Sequence, residues 1–468
     1  MSNDQLLMLP ATELALLVQR REISAAELTK LSLDRIAERD GELGAFTVVL
    51  AERARQSALL VDERIANGEI LPLAGLPIAV KDHIWLAGAP ATNGSRALAD
   101  FVPNEDAIAV SRLIAAGAVV VGKTNNPEFC YRGDCESPMY GLTRNPWDLN
   151  RTSGGSSGGS AVAVATGMAA LAIGTDGGGS IRIPAAFCGV AGHKPTYGLV
   201  PTRPGFRGWP TLSVFGPLAR TVPDLALTMQ VIAGPHPADP STVVQPQLFH
   251  PAAMAPLDDL KSLRIAVSED FGFATVDPKV RTAFRHAVQL LSELGCELVS
   301  AHPVTQDPVP LWWTIASAES FASEAWLLDR AELIGKDSLR TMRMGEAISS
   351  QEYLDAQHAR SEFTSAWGSF YESFDLTVSP GEQVLPFMVG QPEPSHSGPE
   401  AEGGWWGMDS VANLTGQPAT GVPTGFSEGG LPFGIQFMGR RFDDERVLRV
   451  ASTFEALARE AFAHPQRT

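Results

Sequence analysis

The sequence predicts an α/β protein in which a β-sheet lies between layers of helices, and three observations carry that expectation. Short apolar runs bounded by Gly, Pro or Asn recur at Leu76–Val80, Ala118–Val121 and Leu171–Gly174, as buried strands do. Helix-compatible stretches at Ala107–Ala116 and Ser160–Met168 alternate with them. That alternation places helices on both faces of one sheet. Finally, the chain shows no repeat of 20–50 residues and no linker, so one large domain is expected although 468 residues give a prior of about three.

Ahead of the first strand, Thr12–Arg20 and Ser24–Arg39 read as amphipathic helices. Ser24 with Glu27 three residues on is a capping-box signature. A third helix covers Ala51–Ala66, rich in Ala, Arg and Leu. Residues 1–66 are therefore expected to form a helical arm packed on a single domain over 67–468. Further along, a strand at Leu263–Val267 precedes a helix over Pro278–Leu294, and helical patterns fill Trp312–Leu333 and Gln351–Ser373. The Pro-, Gly- and Glu-rich stretch Pro380–Gly407 reads as a long loop, a class that is usually functional or disordered.

Composition narrows the function. The chain is 44% hydrophobic and 19% charged, ordinary for a globular protein. Its net charge of −17 repels phosphate backbones, which disfavours nucleic acid and anionic membranes as partners. Four cysteines without CxxC or His-linked spacing argue against a disulfide framework or structural zinc. No apolar run reaches 18 residues and the N-terminus lacks a basic signal region, so a soluble cytoplasmic protein is expected.

Three catalytic patterns compete. Gly117–Thr124 fits the phosphate-binding G-x4-G-K-T, but its spacer Ala-Val-Val-Val is itself a strand and Asn125-Asn126-Pro127 follows as a turn. Gly154-Gly-Ser156-Ser-Gly158 fits the nucleophile elbow G-x-S-x-G, yet the preceding Asn145–Ser153 cannot be a central strand and no His offers a base. The third pattern is longer. It joins Lys81-Asp82 after an apolar strand, Gly154–Ser160, and Gly174-Thr-Asp176-Gly-Gly-Gly-Ser180-Ile-Arg182.

Its chemistry follows from the residue types. Ser180 after three glycines lets bare backbone N–H groups converge near its hydroxyl, as an oxyanion hole requires. A serine nucleophile needs a base, and without a suitable His the base is a lysine kept neutral by burial. Lys81 at a strand end is placed for that role, and Gly-flanked Ser156 and Ser157 can bridge the two. Cys188 beside Ala-Phe reads as a small buried hydrophobe rather than a nucleophile.

These residues resemble the amidase signature family. The likeness runs through Gly141–Pro146, Gly154–Ser160, Gly174–Ala185 and Gly192–Gly198, with related blocks at Gly122–Phe129, Gly216–Asp224, Asn413–Ala419 and Gly430–Arg440. It spans roughly residues 10–460, with the signature core at about 76–225. The resemblance implies the family's fold, a large mixed β-sheet core sandwiched between α-helices. It also implies a Ser–cis-Ser–Lys triad falling on Ser180 (acyl nucleophile), Ser156 (proton relay, after a cis peptide from Gly155) and Lys81 (base). Oxyanion donors would be the N–H groups of Gly177, Gly178, Gly179 and Ser180. Ser157, Thr175, Asp176 and Arg182 would support and position.

The implied activity is hydrolysis of a C–N bond in a small aryl or alkyl amide, with no metal, nucleotide or organic cofactor. Carbamates, hydrazides and cyclic oligoamides are alternative substrates, and a partner-dependent amidotransferase subunit is the alternative role. Against that role, amidotransferase subunits of the family carry Asp-Gln where this chain has Ser213-Val214. A homodimer is a family-level expectation. Phe129, Tyr131, Trp209, Trp312, Trp313, Trp405 and Trp406 are the aromatic candidates for a substrate pocket. Trp405 and Trp406 follow Gly403-Gly404 in the long loop, where burying both is difficult, so they are expected to gate it.

Overall fold

β-Branched and small apolar residues build an eleven-stranded mixed sheet in the computed structural model, which describes residues 1–244, 249, 257, 260–391 and 404–461. Its first strands are β1 (Phe46–Val49), β2 (Pro77–Lys81) and β3 (Val119–Thr124). β4 (Glu136–Ser137) and β5 (Gly141–Leu142) form a separate hairpin. The sheet continues with β6 (Leu171–Asp176), β7 (Ala191–Lys194), β8 (Val214–Ala219), β9 (Arg264–Val267) and β10 (Glu297–Ser300). It closes with β11 (Leu376–Pro380), β12 (Ala419–Phe426) and β13 (Pro432–Gly439). The spatial order is β1-β3-β2-β6-β8-β7-β12-β13-β11-β9-β10. Pairing is parallel within β3–β2–β6 and β11–β9–β10 and antiparallel elsewhere.

Register positions the site. Ile78 pairs with Leu171 and Val80 with Ile173, so the parallel strands β2 and β6 end side by side at Lys81 and at Thr175-Asp176. Ligands of α/β sheets gather at such carboxyl ends. The helix Gly158–Ala165, almost all Gly, Ala, Ser and Val, packs beneath β2, β3, β6 and β8. Its small side chains allow that approach, and nearly the whole helix is buried.

The arm does more than pack on a core. Helices Ala11–Gln19, Ala25–Leu43 and Ala51–Ala66 bury Leu14, Val18, Leu28, Ile36, Val61 and Ile65 in the main hydrophobic cluster. Between them β1 forms the edge of the main sheet, antiparallel to β3. Residues 1–66 therefore supply a strand as well as helices. The helical stretch expected over Trp312–Leu333 is a helix at Val309–Glu324 followed by 3-10 turns over Ala325–Leu333, kinked at Arg330. Of the long loop Pro380–Gly407, residues 392–403 lie outside the described part, while Gly404–Trp406 is a 3-10 turn leading into the helix Gly407–Thr415.

Lys123 lies within β3, fully buried, and donates to the carbonyls of Asp82 at 3.0 Å and Pro90 at 3.4 Å. The G-x4-G-K-T match is thus strand and turn, without a phosphate loop. Cys130, Cys135, Cys188 and Cys296 are all buried free thiols. Among the described residues no helix is long and apolar enough to cross a membrane.

Candidate active site

Lys81, at the last position of β2, is fully buried. Its Nζ lies 2.6 Å from Ser156 Oγ, 3.0 Å from Ser157 Oγ and 2.8 Å from Thr175 Oγ1. Burial lowers the lysine's pKa from its ordinary range, with smaller opposing pulls from Cys130, Cys135 and Asp176. Ser156 follows a cis peptide from Gly155, and Ser157 Oγ is held further by Thr175, donating to its carbonyl at 3.2 Å and accepting its N–H at 3.3 Å. Gly174 is required here: a Cβ at that position would come within 2.6 Å of Ser157 Oγ.

Ser180 follows the turn after β6 and lines a small cavity of about 40 Å³. Its carbonyl accepts the N–H of Ser157 at 3.0 Å, which ties the two serine-bearing segments together. Asp176 shapes the turn. Its carboxylate accepts the N–H of Gly179 at 2.8 Å and of Ile181 at 3.1 Å, and both Nε and Nη2 of Arg182 at 3.0 Å. Burial opposes ionisation of Asp176, but Arg182, Lys194 and the Gly179 N–H outweigh it and hold the carboxyl well below the usual range. Arg182 in turn donates to Gln436 Oε1, the Asp409 carbonyl and Asn413 Oδ1 at 2.9–3.1 Å. Asp176 and Arg182 thus hold the turn that carries Ser180.

Gly179 departs from the expected oxyanion set, because its N–H is already engaged by Asp176. Its φ of +117° also places it where a side chain is strained, and a Cβ there would meet Asp409 Cβ at 2.8 Å. Gly177, Gly178 and Ser180 keep N–H groups that no described residue accepts, and Gly178 and Ser180 line the cavity.

The aromatic candidates divide. Tyr131, Trp209, Trp312, Trp313 and Trp406 line the Ser180 cavity. Tyr131 stacks on Trp209 with centroids 5.5 Å apart, and Trp312 meets Trp209 and Trp406 edge-on at 4.9 and 4.7 Å. Phe129 faces a different cavity. Trp405 is core: 5% exposed, it stacks on Phe187 at 6.2 Å and meets Phe387 edge-on at 5.3 Å, with Ile183 in the same cluster. Within the turn Gly404–Trp406 the two adjacent tryptophans separate: Trp406 lines the Ser180 cavity and Trp405 does not.

Sequence reasoning passed over three features. Cys130 lines the cavity with a positive φ of +66°, beside Phe129 at +53°, and donates its thiol to Asn93 Oδ1 at 3.6 Å. Burial pushes that thiol up, yet Lys81 and His83 outweigh it and hold it at about 7. Arg132 is the one cation lining the cavity among the described residues. It is engaged by Asp134 at 3.0 and 2.5 Å and by Asp337 at 2.8 Å. Asn413 and Gln436, seen in the sequence only as family-like blocks, complete the clamp on Arg182. Cys130 carried no signal beyond its place between two aromatic candidates.

Comparison with known proteins agrees with this architecture. The family model described as Amidase matches residues 27–448. A glutamyl-tRNA(Gln) amidotransferase subunit of Moorella thermoacetica is 37% identical, covering 96% of this chain and 97% of that protein. Two solved structures superpose with a TM-score of 0.88. A bacterial aryl acylamidase of the amidase signature enzymes is 28% identical, covering 96% of each chain. A vestigial protein complex bearing on the origins of an s-triazine catabolic enzyme is 30% identical, covering 96% of this chain and 98% of that one. This chain belongs to the amidase signature family.

Proposed function

We propose that this protein hydrolyses the C–N bond of a small aryl or alkyl carboxylic amide through an acyl-enzyme on Ser180. The observation that carries the reading is the 2.6 Å contact between Lys81 and Ser156, wholly buried, beside the cavity that Ser180 lines. A neutral amine has two N–H donors and one lone pair. It donates to Ser157 and Thr175 and accepts from Ser156, matching the three contacts of Lys81.

As Ser180 Oγ attacks the carbonyl carbon, its proton passes to Ser156 and that of Ser156 to Lys81. The oxyanion forms against the N–H groups of Gly177, Gly178 and Ser180, donors worth about 3–4 kcal/mol each where one is removed. Collapse breaks the C–N bond, and the proton returns through Ser156 to the departing amine. Water then attacks the ester by the same relay, releasing the acid and restoring Ser180.

The cavity supports an uncharged apolar substrate. Five aromatic side chains line it, and Arg132 is engaged by two carboxylates, leaving no free cation there for a substrate carboxylate among the described residues. Four free thiols fit a reducing compartment such as the cytoplasm.

A second reading is an amidotransferase component that releases ammonia from an amide and works with partner chains. Sequence relatives favour it more strongly than the first: the Moorella amidotransferase protein matches at 37% identity over nearly full length. The cavity and the Ser213-Val214 pair favour the first.

The test is product release from 4-nitroacetanilide, a carbamate, a hydrazide and L-glutamine by wild type and Ser180→Ala. Anilide turnover that vanishes in Ser180→Ala is expected. Ammonia from glutamine without anilide turnover overturns the reading in favour of the second, and activity retained in Ser180→Ala overturns the mechanism.

A further inference from the structure

A second cavity of about 470 Å³ opens behind the wall of the Ser180 pocket and shares no lining residue with it. That volume is in the range of small-ligand sites. Trp85, Phe101 and Phe206 pack into one aromatic cluster, each ring meeting the other two at 5.3–5.7 Å, and with Phe129 they line the cavity. Glu324 also lines the cavity, although only 5% of it is exposed. One carboxyl oxygen, Oε2, accepts the Tyr131 hydroxyl at 2.7 Å, and Oε1 accepts nothing from the described residues.

Glu324 is an acid without a counter-ion among the described residues. Burial raises its pKa to about 8, the Tyr131 hydrogen bond lowers it, and the Cys130 thiol adds a small upward push. Arg207 is the one cation lining this cavity among the described residues, and it stands on the exposed rim. A carboxyl group with a free oxygen among aromatic faces matches one ligand chemistry. An ammonium group satisfies the acid, and the ring faces attract the same positive charge.

We infer that this cavity is a binding site for an organic ammonium ion with an aromatic or similarly compact apolar body, its charge on Glu324 and its body against the cluster of Trp85, Phe101 and Phe206. The site is linked to the Ser180 pocket through Tyr131, whose hydroxyl holds Glu324 and whose ring stacks on Trp209.

Isothermal titration calorimetry on the full chain tests this without turnover, so its failure is separable from failure of the hydrolase reading. The probe is 2-phenylethylammonium, with 2-phenylethanol and 3-phenylpropionate as neutral and anionic counterparts. A pH of about 8.5 leaves the alkylammonium charged, since such amines titrate near 10, and allows Glu324 to ionise. The ammonium is expected to bind at least tenfold more tightly than either counterpart. Glu324→Gln and Phe206→Ala should each weaken it at least fivefold, while Trp406→Ala, on the other cavity, should leave it within twofold. Phe206→Ala keeps the test decisive should Glu324→Gln disturb Tyr131. No binding, equal binding of the three probes, preference for the carboxylate at Arg207, or loss in Trp406→Ala with retention in Phe206→Ala each overturns the inference.

Discussion

The indole N–H of Trp312 donates to the carbonyl oxygen of Gly177 over 2.8 Å, so a wall of the Ser180 cavity and the turn before Ser180 are held by one bond. Trp312 sits on the helix Val309–Glu324, far in sequence from the signature core, and its ring also packs against Gly178. On the proposed hydrolysis, substrate shape and oxyanion geometry are coupled through this one side chain. Replacing Trp312 with Phe keeps most of the ring and removes the donor. The loss of about 1 kcal/mol expected for such a bond should lower kcat about fivefold with KM nearly unchanged. Steady-state kinetics on an anilide check this, and a rise in KM alone would assign Trp312 to the wall only.

On the proposed mechanism Lys81 must be neutral to accept a proton, so kcat/KM should rise with pH as the buried amine loses its charge. Cys130 in its ionised form favours the charged lysine, so Cys130→Ala should lower the lysine's pKa further. The ascending limb of the pH–rate profile should then move to lower pH in Cys130→Ala. Lys81→Ala should cost about 10²–10⁴ in kcat at every pH. A profile unmoved by Cys130→Ala would show that the thiol does not act on the base.

Asp176 and Arg182 form a fully buried ion pair, and removing one partner of such a pair costs about 3–5 kcal/mol. Arg182→Met should lose stability of that order in urea unfolding and reduce kcat by loosening the turn. The pH dependence has a definite sign. The carboxyl of Asp176 is depressed in the folded state, so its contribution is present above its unfolded value near 3.8 and is lost as pH falls below it. Wild-type unfolding free energy should drop on acidification in that window, and Asp176→Asn should flatten its share.

How much was legible follows from which contacts are local. Lys81, Ser156 and Ser180 were singled out because a lysine at a strand end and Gly-flanked serines carry that chemistry, whereas Thr175 and Asp176 entered only through the family resemblance. The parallel pairing of β2 with β6 brings Lys81 beside Thr175. β1 was not legible: Phe46–Val49 is only four residues between two helices, and only its pairing with β3 makes it a strand. β12 and β13 were hidden by Gly421, Pro423, Gly425 and Gly434, which interrupt the apolar pattern. The Arg132 ion pair with Asp337 spans 205 residues, so no local pattern announces that the cavity's cation is already engaged.

The Trp405-Trp406 pair shows how adjacent, identical residues separate in role, and it gives the last prediction. Trp405 is enclosed by Ile183, Phe187 and Phe387, and Gly133 lies so close that a Cβ there would meet the indole at 2.7 Å. Trp406 faces Ser180 and packs edge-on against Trp312 and Trp313 at 4.7 and 6.1 Å. Trp405→Ala leaves a void in a closed cluster and should cost about 3–5 kcal/mol of stability. Ratios of kcat/KM between small and bulky acyl anilides should stay within about twofold wherever the protein remains folded. Trp406→Ala should do the reverse, changing stability little and enlarging a cavity of only about 40 Å³. The preference for bulky over small acyl groups should rise about tenfold or more, since one added methylene in an apolar pocket is worth about 1–3 kcal/mol. Unfolding curves and a two-substrate comparison on both variants decide it. If Trp405→Ala shifted selectivity while Trp406→Ala did not, the turn at Gly404–Trp406 would present the other tryptophan to the substrate.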